Sequence, residues 1–76
     1  MNNKPVHEIR RGGIKASIWL NERNGNPAHS VTITRSFKRG ETWHETPSYF
    51  RSHLAQVLET LSKAEQWIAL REPTVR

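Results

Sequence analysis

Seventy-six residues, with 12 Lys and Arg against 7 acidic side chains and a pI near 10.5, describe one small basic domain; a chain this short buries only about 60% of the surface it exposes unfolded. No cysteine is present, which excludes disulfide staples and thiolate metal sites and leaves self-association as the common remedy for a marginal core, so a homodimer is expected. The polar start Met1-Asn2-Asn3-Lys4-Pro5 and the lack of a long apolar run read as a chain without signal peptide or membrane span, expected in the cytoplasm, free or on the nucleoid.

Residues 1–5 are expected to be mobile, residues 6–70 to form a single β4-α domain, and residues 71–76 to be a mobile tail. Val6 to Arg11 reads as a short first strand ended by Gly12-Gly13. Ile14 to Asn21 alternates cleanly: Ile14, Ala16, Ile18 and Leu20 on one side, Lys15, Ser17, Trp19 and Asn21 on the other. Asn24-Gly25-Asn26-Pro27 is a turn signal, with Asn-Gly the favoured type I′ pair. Ser30 to Lys38 alternates again, with Val31, Ile33 and Phe37 on the apolar side. Arg35 breaks that pattern, which suggests the sheet margin or a bulge. Arg39-Gly40 reads as the next two-residue turn, followed by a strand from Glu41 to about Thr46, where Pro47 ends it.

A helix follows. Thr46-Pro47 and Ser52 are both able to open it, with Ser52 preferred. Leu54, Val57, Leu58, Leu61, Ala64 and Ile68 recur at helical spacing and form the stripe expected to pack the core or a dimer contact. Glu59 and Lys63 form an i,i+4 pair on the solvent side, and Pro73 stops the helix. The fold class is therefore α+β: a four-stranded antiparallel meander followed by one C-terminal helix (β-β-β-β-α) that covers one face of the sheet.

The turns fix a register. With Asn24-Gly25 as a two-residue loop, Trp19 opposes Ser30, Ser17 opposes Thr32 and Lys15 opposes Thr34. With Arg39-Gly40 as the next loop, Lys38 opposes Glu41, Ser36 opposes Trp43 and Thr34 opposes Glu45. Opposed side chains share a face. Lys15, Trp19, Lys38 and Trp43 thus lie with several hydroxyls away from the Ile/Val stripe, joined by Arg10 if Ile9 points inward. The two tryptophans fall about six residues apart along the sheet, roughly 20 Å.

Charge is segregated along the chain. Residues 1–51 hold nine basic against four acidic side chains, so the whole net charge of +5 resides there, and residues 52–76 balance three against three. A basic sheet bearing indoles suits a nucleic-acid strand, with bases stacked on aromatics and phosphates tracked by lysine and arginine. The same tryptophans would equally fill a dimer interface, or the core after a one-residue slip; Trp67 reads as core margin or dimer contact. His7, His29, His44 and His53 match no metal-ligand spacing, no nucleophile–base pair is recognisable, and the acids are scattered glutamates. No metal, no cofactor and no enzymatic activity are expected.

Four strands, then one helix, with a basic aromatic sheet, resemble the transcriptional-coactivator-like (PC4-like) single-stranded DNA-binding proteins. The residues that carry the resemblance are Ile14 to Trp19, Val31 to Arg35, the Lys38-Arg39-Gly40 turn and the Leu54–Ile68 helix. The segments Ile9 to Trp19 and Trp43 to Leu54 also look like a group of short bacterial proteins of no assigned function. The first resemblance implies a homodimer with helices packed across the two-fold, and single-stranded DNA or RNA bound without sequence preference by Arg10, Lys15, Trp19, Arg35, Lys38 and Trp43. It implies a dimer or core role for Leu54, Val57, Leu58, Leu61 and Ile68. The alternatives are a protein-interaction module that uses an exposed sheet edge and the tryptophans, and a duplex binder that reads phosphates.

Overall fold

The computed structural model describes residues 4–72. The expectations for residues 1–3, for the tail beyond Glu72 and for Pro73 lie outside the described residues. Among the described residues the elements are β1 (His7–Arg11), β2 (Ile14–Arg23), β3 (Asn26–Arg39), β4 (Thr42–Thr46) and α1 (Arg51–Ala69). The strands form one antiparallel meander in the order β1-β2-β3-β4.

Turn chemistry sets the register. Asn24 and Gly25 take φ of 54° and 80°, the pair of positive values that a type I′ loop needs. Arg23 then faces Asn26, and the ladder runs on through Trp19–Ser30, Ser17–Thr32 and Lys15–Thr34, as the spacing predicts. The next hairpin differs. Its loop is Gly40-Glu41, so Arg39 opposes Thr42, Lys38 opposes Trp43 and Ser36 opposes Glu45. The expected Arg39-Gly40 loop would put arginine at the first loop position, which needs positive φ in both common hairpin turns. Gly40 takes that position instead, at φ 64°. The pairing moves by two residues, an even number, so every side chain of β4 keeps its expected face.

The core is small. Ile14, Ala16 and Ile18 of β2, with Ala64 of α1, are the buried apolar side chains among the described residues. The helix lies over β1 and β2, reaches β3 and makes no contact with β4 among those residues. It seats on Thr60 and Ala64, both fully buried and both small enough to let the backbone approach the sheet. The Thr60 hydroxyl donates to the Val57 carbonyl at 3.0 Å, so its burial leaves no unsatisfied donor.

This seating divides the expected stripe. Val57 and Ile68 are half-buried, but Leu54, Leu58 and Leu61 are exposed, Leu58 at 67%. Glu59 pairs with Arg11 of β1 at 3.2 Å, which fixes the helix rotation. Leu61, Leu54 and Leu58 then lie at about 100°, 120° and 160° from Thr60 in the opposite sense, on the flank away from β1.

The helix starts at Arg51, after an extended Phe50; neither Thr46 nor Ser52 caps it. Phe50 N–H donates to His53 Nδ1 at 3.3 Å, and His53 N–H donates to the Phe50 carbonyl at 2.8 Å. The His53 imidazole thus does the work of a third-position glutamate in a capping box. The linker before the helix is tied to β3: the Tyr49 hydroxyl donates to the Ile33 carbonyl, and burial raises the Tyr49 phenol above its usual 10.0. Arg35 donates to the Ser48 carbonyl at 3.0 Å, its guanidinium 5.4 Å from the Phe37 ring and 5.2 Å from that of Phe50. The ladder passes through Arg35 without a bulge, paired to Ile14 and Thr46. Its inward parity is tolerated because the helix does not cover β4, and the charge meets a carbonyl and two ring faces rather than the core.

At the other end, Trp67 stacks on His7 at 4.9 Å with the Arg71 guanidinium 3.6 Å from its ring, and His29 pairs with Glu72. Trp67 therefore belongs to the margin where the last helical turn meets β1 and β3. Among the described residues, no helix is long and apolar enough to cross a membrane.

Candidate nucleic-acid interface

The sheet face opposite α1 is uncovered among the described residues. The ladders bring Arg10 opposite Lys15, Lys15 opposite Thr34, Trp19 opposite Ser30 and Lys38 opposite Trp43. Five of the six expected binding residues, Arg10, Lys15, Trp19, Lys38 and Trp43, thus share this face. Arg35 does not; it points to the helix side and anchors the linker.

The two tryptophans stand in different surroundings. Trp19 is half-buried, its indole N–H donating to Thr32 Oγ1 at 2.9 Å, with Asn21 bonded to Ser30 at 2.7 Å alongside. Trp43 is 67% exposed, with the Lys38 ammonium 5.9 Å from its ring centroid, at the outer limit of a cation–π contact. Trp19 faces Ser30 and Trp43 faces Lys38, so they lie eight residues apart along β3, about 26 Å. This replaces the six-residue spacing derived from the Arg39-Gly40 loop.

The charges on the face are partly paired. Lys15 bonds Glu45 at 3.3 Å, and its side chain is only 19% exposed; Arg10 lies 3.7 Å from Glu8. Lys38 has no carboxylate within ion-pair distance among the described residues. Glu45 and Glu8 join the expected residues on this face, and strand parity signals both, since Glu8 alternates with Arg10 and Glu45 with Trp43. Where β4 passes the Gly12-Gly13 turn the face deepens into a cleft of about 740 Å³, with Arg10, Ser36, Trp43 and Glu45 among its walls. Among the described residues, no three metal-binding side chains are grouped.

The geometry defines a β4-α domain with a cationic, hydroxyl-rich sheet face, one free indole and one fixed indole. Comparison with protein families, with characterised proteins and with solved structures returns no match for this chain.

Proposed function

We propose that this protein binds single-stranded nucleic acid, DNA foremost, through the sheet face opposite α1, with little sequence preference and as a homodimer. The observation that carries the reading is the company of Trp43 on that face: an exposed indole beside Lys38, with Arg10 and Lys15 on the neighbouring strands. Base stacking on such a ring contributes about 1–3 kcal/mol per base and tolerates any sequence, because every base has a π face. Phosphate contacts add affinity that falls with salt. The resemblance to the transcriptional-coactivator-like single-stranded DNA-binding proteins points the same way.

Exposed apolar side chains support the dimer. Leu54, Leu58 and Leu61 form an exposed apolar flank on the helix, and a second copy of this chain is the occupant that adds core to a fold with so little of its own. Sedimentation at micromolar concentration is expected to return a dimer; a folded monomer at all accessible concentrations overturns this part of the reading.

The test of the binding itself is titration of a labelled single-stranded oligonucleotide over a range of salt. With Arg10, Lys15 and Lys38 as phosphate partners, log affinity should fall with log salt at a slope of about −2, and a duplex of equal length should bind less tightly. No binding at low salt removes the nucleic-acid reading. A protein-interaction module working through the exposed edge strand β4 then takes its place, a reading that draws on the neutralisation of Lys15 by Glu45.

A further inference from the structure

We infer that the cleft between the Gly12-Gly13 turn and the Trp43 end of β4 is a subsite for one nucleotide of the bound strand, with Glu45 a built-in competitor for that nucleotide's phosphate. The inference rests on the nucleic-acid reading above and names where on the face a nucleotide is held.

A step in the sheet makes the cleft. The β3–β4 hairpin outruns the β1–β2 hairpin: Ser36 N–H donates to the Gly13 carbonyl at 2.8 Å, and Lys38 and Trp43 lie beyond that bond. On the β1–β2 side the wall is the Gly12-Gly13 turn, which carries no side chain, with Arg10 next to it. A Cβ at Gly13 would come within 3.1 Å of the Ser36 carbonyl oxygen, so a side chain there would crowd the step. The cleft is half open to solvent, with a volume of about 740 Å³.

The lining suits a nucleotide. Trp43 offers an exposed ring for a base, and the Ser36 hydroxyl a donor for base edge or sugar. Arg10 contributes a guanidinium that Glu8 holds only at 3.7 Å, with 66% of its side chain exposed. Such a fork is the preferred bidentate partner of a phosphate. Lys15 lies on the same face outside the cleft wall and is engaged by a residue of that wall: the Glu45 carboxylate sits on its ammonium at 3.3 Å, where a phosphate oxygen would sit. Phosphate entry therefore exchanges one Lys15 partner for another, and the exchange tempers affinity without moving the fold.

The wild-type protein carries three indole N–H groups, which nuclear magnetic resonance reads separately once single Trp→Phe variants have assigned them. Titration with a single-stranded tetranucleotide and with adenosine 5′-monophosphate is expected to shift the Trp43 indole and the Gly12 and Gly13 amides, and to leave Trp67 unmoved. If the tetranucleotide binds while Trp43 and the two glycines stay unmoved, the subsite is overturned and the nucleic-acid reading stands. If the mononucleotide alone binds, with those signals shifting, the cleft is a free-nucleotide site and the strand-binding reading falls. If neither binds at low salt, both fall. Glu45→Gln, on an exposed edge strand, should tighten tetranucleotide binding several-fold, because a phosphate then meets Lys15 without displacing a carboxylate. Unchanged or weaker binding by a folded Glu45→Gln protein overturns the competition.

Discussion

The two faces of the sheet use the same alternating strands for opposite ends. On the helix side, Ile14, Ala16 and Ile18 are sealed under Thr60 and Ala64, and position follows from shape. On the other side, Lys15 and Trp19 are held by hydrogen bonds and an ion pair, while Lys38 and Trp43 stand in solvent. The difference teaches where change is tolerated. A side chain in the sealed layer can be altered only at a cost to folding, whereas one at the Trp43 end can be altered with its effect confined to what it touches.

The largest expected effect tests the sealed layer. Ile18→Ala should lower the unfolding free energy by about 2–5 kcal/mol, because it leaves a cavity at a fully buried site. Urea denaturation followed by circular dichroism checks it. A loss below about 0.5 kcal/mol, the range of ordinary surface changes, would mean that Ile18 is not sealed.

Next comes the contrast between the indoles. Trp43→Ala should cost about 1–3 kcal/mol of oligonucleotide binding while the melting temperature hardly moves. Trp19→Ala should lower the melting temperature, because it strips a half-buried ring and the bond to Thr32. Fluorescence titration and thermal melts of the two variants decide the matter; equal effects on both measurements would erase the distinction.

Tyr49 gives a smaller effect with a pH signature. Desolvation holds its phenol above the usual 10.0, so the folded protein binds this proton more tightly than the unfolded chain. The stabilising contribution is complete below pH 10 and is lost as the pH rises through the folded-state value. Tyr49→Phe should cost about 1 kcal/mol at neutral pH through the lost bond to Ile33 and should flatten the alkaline decline in melting temperature. An alkaline limb identical to that of the wild type would place the titrating group elsewhere.

The smallest effect lies where the helix borders β1. Partly exposed Glu59 pairs with Arg11 at 3.2 Å and with Lys63 at 3.3 Å, both of them solvent-exposed. Glu59→Gln should therefore cost no more than about 1 kcal/mol, and that difference should shrink further in high salt.

Alternation and turn chemistry are local, and what depends on them was legible in the chain: four strands in meander order, the β2–β3 register from Asn24-Gly25, and Lys15, Trp19, Lys38 and Trp43 on one face. An even register error at Gly40 left that face intact, since side-chain direction repeats every two residues. The seating of the helix was not legible, because apolar spacing marks a stripe but not which part of it meets the sheet. Thr60 and Ala64 took that place through their size, and Leu54, Leu58 and Leu61 turned outward. The roles of Arg35 and Glu45 were hidden for a related reason. A charge declares its sign in the sequence, but whether it is spent on a Ser48 carbonyl, on a Lys15 ammonium or on a ligand depends on which groups distant segments bring within about 3 Å of it, and tertiary structure alone decides that.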